Sequence, residues 1–140
     1  MAQLQLRVIT PEKIAVDTAV ESVRLPLLDG GAGVLPRHAP MIAALDIGKL
    51  FFRTPGGPEQ AMFVAGGFAE VRSDVVRIVT QAGERPEEID EARALEAEKR
   101  ARERLDHRLA GQATDPIDVL RAEAALKRAL FRLRTKQGNR

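Results

Sequence analysis

The sequence predicts an α+β protein, with an N-terminal antiparallel β-sandwich over residues 1–84 and a C-terminal antiparallel two-helix hairpin over residues 85–140. Nine of the 11 glycines and six of the eight prolines precede residue 84. The rest of the chain is dominated by Ala, Leu, Arg, Lys and Glu. Glycine and proline separate short strands, whereas these other residues are strong helix formers. The change in composition therefore marks a boundary between two domains.

Short strands separated by turns account for the first domain. Apolar and polar residues alternate over Leu4–Val8, which is the period of a half-buried strand. Turns are predicted at Asp29–Gly33 and Thr54–Pro58, and a tight turn or bulge at Gly66–Gly67. Many short strands at close spacing predict an antiparallel sandwich or barrel. The further strands are predicted at residues 20–25, ending before Pro26, and at 41–45, 48–53, 61–65, 68–71 and 75–80.

Helix boundary signals define the second domain. Pro86 suits the first position of a helix, which is predicted to end at Gly111. Asp115 is a predicted N-cap, and Pro116 is the predicted first residue of a second helix. The first helix has a mostly alanine face that buries little apolar area, so we expect the hairpin to be marginally stable without a partner. The predicted apolar faces are Ala94, Ala97, Ala101, Leu105 and Leu109 on the first helix, and Val119, Ala122, Leu126, Ala129, Leu130 and Leu133 on the second.

Composition and charge restrict the functions that the chain can have. It has no cysteine, tryptophan or tyrosine, which excludes a disulfide framework and a thiol nucleophile. The net charge is +2, but residues 119–140 carry seven basic side chains against one acidic, a net +6. Such a helix favours an acidic partner surface or a polyphosphate, or else is a solvated face with cations near its C-terminus. A basic nucleic-acid-binding module is therefore the alternative function, although the scarcity of aromatics disfavours base stacking.

Three short motifs occur in order along the chain. Gly33–Pro40 is GVLPRHAP, Gly66–Val71 is GGFAEV and Ile89–Ala94 is IDEARA. Together they resemble the epsilon subunit of the F-type (rotary) ATP synthase, and the resemblance covers essentially the whole chain. It implies a non-catalytic central-stalk (rotor) subunit of a bacterial complex driven by protons or sodium ions. The implied location is peripheral, on the cytoplasmic face of the inner (plasma) membrane, without insertion into it.

The resemblance also implies partners for each domain. The sandwich would bind the gamma subunit and stand on the c ring of the membrane sector. The hairpin would be a regulatory arm that folds against the sandwich or extends to the alpha and beta subunits of the catalytic head, where it inhibits ATP hydrolysis. No contact with nucleic acid is expected on this interpretation. An enzyme is the weakest hypothesis, because the sequence offers no convergent acid, base, nucleophile or metal cluster.

The GVLPRHAP segment lies, by resemblance, at the foot of the sandwich near the c ring. A charged residue usually marks the loop tip in the family, whereas here Gly31 occupies that place and Asp29 lies two residues earlier. His38 alone could be a general base, but the favoured interpretation is a histidine that orders the loop by bonding to backbone. The residues implied to face the ring are Asp29, Gly31, Arg37, His38, Pro40 and Met41.

A regulatory ATP site is implied at the hairpin, and no other cofactor is expected. Arginine suits phosphate because its planar fork binds two oxygens at once. Asp90 and Arg93 stand three apart, and the alternative for them is a local surface ion pair of little energetic value. The chain has no P-loop, so ATP would be a sensed ligand and not a substrate. The candidate residues are Glu84, Asp90, Arg93, Arg100, Arg128 and Arg132.

The basic second helix supplies the candidate contacts for inhibition. The resemblance implies that this helix engages an acidic surface on the catalytic beta subunits. Its candidate contact residues are Arg121, Lys127, Arg128 and Arg134. Arg128 therefore belongs to two candidate sets, one for phosphate and one for the beta subunits.

Overall fold

The computed structural model describes residues 2–109 and 116–138. The chain divides into two compact units, Met1–Arg85 and Pro86–Arg140. Strands make up the first unit and helices the second. The predicted fold class, a β-sandwich followed by two helices, is confirmed.

The described strands form a continuous hydrogen-bonded array. Their order is β2-β1-β7-β6-β5-β3-β4, and β8 pairs with β6. Among these strands the pairings are antiparallel except that of β1 with β7, which is parallel. The parallel pair was not predicted, because it joins two strands that are far apart in sequence. The strands are β1 Leu4–Ile9, β2 Ile14–Val20, β3 Ser22–Leu27, β4 Gly30–Val34, β5 Met41–Arg53, β6 Glu59–Arg72, β7 Val75–Val79 and β8 Gly83–Glu84.

One apolar core fills the strand unit. On β1, the predicted alternation is confirmed, because Leu4, Leu6 and Val8 are almost completely buried. The same cluster includes residues from β2, β3 and β7, such as Val16 and Ile78. Every buried member of the cluster lies between residues 4 and 78, within the first unit. The core therefore belongs to the strand unit alone.

The long β5–β6 hairpin changes its core-facing side part of the way along. Leu45 is in the core before the change, and Leu50 is in the core after it, so odd and even positions of β5 exchange roles. On β6 the corresponding core residues are Val64 and Ala69. Gly66 and Gly67 lie between these two, with φ angles of 79° and 108°. Glycine permits this backbone, so the predicted turn or bulge is a bend within one continuous strand.

Two strand predictions around β3 were wrong. The strand predicted to stop before Pro26 continues to Leu27, and the register of β3 against β5 shifts between Arg24 and Leu27. The shift accommodates the missing N–H of the proline. The segment Asp29–Gly33 was predicted as a turn, but its last four residues belong to β4, Gly30–Val34, which pairs with β3. Its glycines are extended along that pairing, and only Gly30 among them has a positive φ.

The helical unit begins with a short 3₁₀ turn, Pro86–Glu88, followed by α1 (Glu91–Leu109) and α2 (Pro116–Gln137). The predicted helix start at Pro86 was wrong, because α1 begins after Asp90. The Asp90 carboxylate accepts a hydrogen bond from the backbone N–H of Arg93 at 3.1 Å and caps the helix. Pro116 begins α2 as predicted. Gly111, Asp115 and the side chain of Leu109 lie outside the residues that the structure describes.

The two helices pack side by side and run antiparallel. Lys136 Nζ, near the end of α2, donates a hydrogen bond to the carbonyl oxygen of Pro86, ahead of α1, at 3.1 Å. The start of α1 and the end of α2 therefore lie at the same end of the hairpin. The predicted apolar faces are supported by burial of Ala94, Ala101, Ala122, Ala129 and Leu133. Most of these are alanines, so the contact buries little apolar area per residue.

Candidate functional surfaces

The loop between β4 and β5 is held by a contact with the β6–β7 turn. Arg37 adopts a left-handed conformation with φ of 65°, and its backbone N–H donates to Asp74 Oδ1 at 2.7 Å. The ring of His38 contacts the carbonyl oxygen of Ala39, with 2.7 Å between Nδ1 and O. This contact matches the interpretation of His38 as a histidine bonded to backbone. Arg37 and Pro40 are exposed on the loop, as the predicted set requires.

Two members of the predicted ring-facing set, Gly31 and Met41, lie on strands and not in a loop. Gly31 was predicted at a loop tip, but it lies within β4 and pairs with Pro26. The tip of that hairpin is Leu28–Asp29, so the exposed Asp29 is the acid at the tip. Met41 is the first residue of β5, and its half-buried side chain packs against the sandwich core. The error at Gly31 has the same origin as the missed strand β4.

A row of apolar side chains crosses the outer face of the sheet. Val79 on β7 pairs with Phe68 on β6, and Phe68 pairs with Ala44 on β5. Leu28 lies beside Ala44, whose carbonyl oxygen accepts its backbone N–H at 3.1 Å. Each of these residues is next in sequence to a residue that packs in or against the core, so each points outward. We call Leu28, Ala44, Phe68 and Val79, together with the outward-facing Ile42, the apolar row.

The apolar row is exposed to an unusual degree for such large side chains. The exposed fractions are 67% for Leu28, 75% for Ile42, 62% for Phe68 and 49% for Val79. Contiguous exposed apolar surface marks an interaction site more often than single exposed residues do. The row was not identified from the sequence, because its members come from three strands and the β3–β4 turn, whose adjacency is not local. The only local signal is Phe68, which alternates with the core residues Ala69 and Val71.

Beside the apolar row lies a row of charges that neutralise one another. Asp17 pairs with Arg7 at 3.4 Å, and Glu70 pairs with Arg77 at 3.8 Å. A 2.6 Å hydrogen bond from Gln5 Nε2, together with the positive charge of Arg7, holds the pKa of Asp17 below its ordinary value. These two acids and two bases leave this part of the face with no net charge.

The candidate nucleotide residues divide between the two units. Glu84 lies in β8 and pairs with Phe63 of β6 in the strand unit. Arg93, in the first turn of α1, and Arg132, in the last two turns of α2, lie at the same end of the hairpin. Arg128 is one helical turn before Arg132 on α2, and Arg100 is two turns after Arg93 on α1, so both lie farther from that end of the hairpin. The carboxylate of Asp90 is engaged as the helix cap and not only as a surface charge.

The candidate inhibitory residues line α2. Arg121 lies 3.8 Å from Asp118 in an exposed pair, and Arg134 stacks 5.0 Å from the centroid of the Phe131 ring. Lys127 and Arg134 are seven residues apart, as are Arg121 and Arg128, so each pair shares one side of the helix. The described part of α2 therefore presents two adjacent basic lines along its length.

Other kinds of site were sought over residues 2–109 and 116–138. No group of three or more His, Asp or Glu in these ranges could hold a metal ion. Within the same ranges, no helix is long and apolar enough to cross a membrane. The described residues do present the exposed apolar row and the basic lines of α2.

The fold defines a class of two-unit protein, in which a β-sandwich is followed by a helical hairpin. The model of the "ATP synthase, Delta/Epsilon chain, beta-sandwich domain" matches residues 3–86, and that of the "long alpha-helix domain" matches residues 87–137. The chain belongs to the ATP synthase delta/epsilon family. The resemblance found in the sequence is thus confirmed, and family membership replaces the nucleic-acid-binding alternative.

Curated relatives match along almost the full length. The chain is 41% identical over 133 residues to the ATP synthase epsilon chain of Nitratidesulfovibrio vulgaris, covering 95% of each. It is 43% identical over 135 residues to that of Symbiobacterium thermophilum, covering 96% of this chain and 93% of the relative. Epsilon chains are non-catalytic subunits, so the chain is not expected to carry out chemistry of its own.

Solved structures agree with this assignment. A chain in the Euglena gracilis mitochondrial ATP synthase, OSCP/F1/c-ring assembly, matches with a TM-score of 0.77 and 26% identity, covering 93% of this chain and 79% of that one. A chain of the Tetrahymena thermophila ATP synthase central stalk and c ring matches with a TM-score of 0.56 and 15% identity, covering 96% and 94%. The second likeness supports the fold alone. The first likeness is to a chain of a mitochondrial ATP synthase assembly that includes F1 and the c ring.

Proposed function

We propose that this chain couples the catalytic head of a bacterial ATP synthase to its c ring and regulates ATP hydrolysis through its helical hairpin. The strand unit binds the gamma subunit through the apolar row. The loop containing Arg37 and His38, together with the Asp29 tip, faces the c ring. The protein is held peripherally at the cytoplasmic face of the plasma membrane by these contacts. The coupling ion is a proton or a sodium ion.

The apolar row is the observation that carries the gamma contact. Burying a side chain of this size contributes about 1.5–3 kcal/mol relative to leaving it exposed. The exposed fractions of Leu28, Ile42, Phe68 and Val79 lie between 49% and 75%, so a partner that covered them would recover about half or more of that energy. The surface area of the apolar row alone is smaller than the area that a stable protein interface buries. The occupant therefore also contacts neighbouring surface, as a large rotor subunit would.

The charges next to the row favour a protein partner over an anionic one. The charges of Asp17, Arg7, Glu70 and Arg77 balance one another, so this face attracts neither phosphate nor an acidic membrane surface.

The basic lines of α2, in contrast, carry a net positive charge, because α2 has few acidic residues. An acidic surface on the catalytic beta subunits is the complementary partner for α2.

The hairpin has the stability expected of a moving arm. Its helix faces are mostly alanine, and its base is closed by Lys136 on the Pro86 carbonyl and by burial of Ile89. A few such contacts contribute little more than about 1 kcal/mol each. ATP held by Arg93, Arg128 and Arg132 would stabilise the closed hairpin by mass action. The extended, inhibitory arm would then be favoured when ATP is scarce.

A charge placed in the apolar row tests the gamma contact. Phe68→Glu is expected to weaken binding to the purified gamma subunit by about 100-fold or more, because an uncompensated charge in an interface costs about 3–5 kcal/mol. Leu95→Glu is the matched control, since Leu95 is 49% exposed but lies on α1. Affinity is measured by surface capture or calorimetry, and circular dichroism verifies folding. A folded Phe68→Glu protein that binds gamma as the Leu95→Glu control does would contradict the proposal.

A further inference from the structure

We propose that Asp74 is the positioning residue for the ring-facing loop, Leu35–Pro40, and that its carboxylate fixes the surface this loop presents to the c ring. The inference rests on the proposed function only for the identity of the surface that the loop meets. The positioning itself is argued from contacts within the strand unit. Nothing in the three sequence motifs identifies Asp74, which lies between the strands β6 and β7.

Asp74 occupies a two-residue turn whose backbone is left-handed at both positions. Arg72 pairs with Val75, and between them Ser73 and Asp74 have φ angles of 49° and 62°. Two-residue hairpin turns of this kind favour Asn, Asp or Gly at the first central position and Gly at the second, where Asp74 stands. An aspartate is therefore not what the turn alone would select. We infer that its carboxylate is selected for a contact outside the turn.

The Asp74 carboxylate contacts the backbone of the neighbouring loop. Asp74 Oδ1 accepts the N–H of Arg37 at 2.7 Å. Hydrogen bonds to an ionised acceptor are about twice as strong as neutral ones. Arg37 has φ of 65°, a conformation that side-chain-bearing residues adopt rarely. The carboxylate thus offsets the strain of a backbone conformation that the loop does not favour on its own.

The contact at Arg37 lies where it restricts the backbone conformation of the whole loop. Pro36 and Pro40 restrict the backbone on either side, so few dihedral angles remain once Arg37 is fixed. The imidazole of His38 is held locally, on the carbonyl oxygen of Ala39. The Asp74 carboxylate holds the loop from another element, the β6–β7 turn. The backbone carbonyl oxygen of Asp74 accepts Gln5 N–H at 2.8 Å, which ties this residue to β1.

With the loop backbone fixed, its exposed side chains have defined orientations. Leu35 is 63% exposed, and Arg37 is also exposed, one apolar and one cationic group two residues apart. A loop with these groups free to reorient would lose entropy on meeting a partner, whereas a fixed loop loses less. Asp74 therefore acts through the Arg37 backbone and does not itself need to touch the ring.

Two substitutions at Asp74 distinguish the effect of its carboxylate from the effect of the turn backbone. Asp74→Gly keeps the positive φ and the backbone bond to Gln5 but removes the acceptor, whereas Asp74→Asn keeps an acceptor oxygen. Ser73→Gly is the control for turn flexibility. In the full-length subunit, amide hydrogen exchange of Arg37 measured by NMR is expected to accelerate at least tenfold in Asp74→Gly. Exchange should stay within about threefold of wild type in Asp74→Asn and Ser73→Gly. Wild-type exchange at Arg37 in a folded Asp74→Gly protein overturns the positioning role.

The second measurement tests the consequence for the ring. Each variant is assembled with the other subunits, and ion pumping per ATP hydrolysed is measured in the complex. The affinity of each variant for the purified gamma subunit is measured separately. The expected result is impaired coupling in Asp74→Gly, rescue in Asp74→Asn, and gamma binding unchanged in both. Unimpaired coupling despite faster Arg37 exchange overturns the role of the loop conformation. Failure of the wild-type protein to associate with purified c ring and gamma would instead remove the proposed function, while leaving the Arg37 exchange result intact.

Discussion

Gly67→Ala is expected to destabilise the strand unit severely, because the site has neither the conformation nor the space for a side chain. Gly67 has φ of 108°, in the region that favours glycine. A Cβ there would overlap the carbonyl oxygen of Val79 and would lie 2.9 Å from its carbonyl carbon and 3.0 Å from Thr80 Cα. These are backbone atoms held by pairing of Val79 with Phe68 and by the bond from Thr80 N–H to the Ile9 carbonyl at 3.0 Å.

Two contributions set the expected loss of stability in Gly67→Ala. Holding a non-glycine residue in such a backbone conformation costs about 1–3 kcal/mol, and overpacking against atoms that cannot move costs about 1–3 kcal/mol more. A unit of this size is stabilised by about 4–13 kcal/mol in total. The loss is therefore a large share of its stability, with a fall in Tm of at least about 10 °C.

Two other glycines provide graded controls for a urea unfolding series followed by circular dichroism. Gly33 has nothing within 4 Å of its Cβ position and no positive φ, so Gly33→Ala should be nearly neutral. Gly56 has φ of 70° with open space, so Gly56→Ala should show backbone strain alone, about 1 kcal/mol. The reasoning is refuted if Gly67→Ala unfolds within about 0.5 kcal/mol of Gly56→Ala.

Two further predictions concern the helical unit. Arg93→Ala or Arg128→Ala should weaken ATP binding by the isolated subunit, measured by calorimetry, and should let inhibition persist at higher ATP. No heat and no thermal shift at about millimolar ATP with the wild-type protein would exclude nucleotide sensing. Reversing Arg121, Arg128 and Arg134 to Glu should relieve inhibition of ATP hydrolysis in the assembled complex without loss of assembly, because charge complementarity to an acidic surface becomes repulsion. An unchanged hydrolysis rate, in a complex that the wild-type arm inhibits, argues against this mechanism.

The sequence was sufficient for the fold class because composition and periodicity are local properties. The alternation over Leu4–Val8 and the alanine faces of the helices correspond to buried residues in the structure. The errors occurred where two local signals compete. Pro86 and Asp90 are both good helix starts, and the carboxylate cap at Asp90 determines the start of α1. Pro26 is a strand breaker in general, but a register shift tolerates it here.

The functional surfaces were only partly predictable, because they depend on which strands become neighbours. The basic face of α2 follows from sequence spacing, and so does the pair of arginines at Arg128 and Arg132. The apolar row requires the adjacency of β3, β5, β6 and β7, which no local pattern specifies. The Asp74 contact with Arg37 joins residues 37 positions apart. Long-range pairing therefore creates the surfaces that the motifs alone do not show.

The most direct test of the account is whether residues 1–85, without the helical unit, bind the gamma subunit. The core cluster lies entirely within this unit, so we expect the fragment to fold cooperatively on its own. It should bind gamma with an affinity within about tenfold of the full chain, and the complex should persist at about 0.5 M salt because the contact is apolar. Phe68→Glu in the same fragment should weaken binding by about 100-fold or more, as in the full chain. A folded fragment that does not bind gamma, in parallel with a full chain that does, would contradict the assignment of the rotor contact to the sandwich.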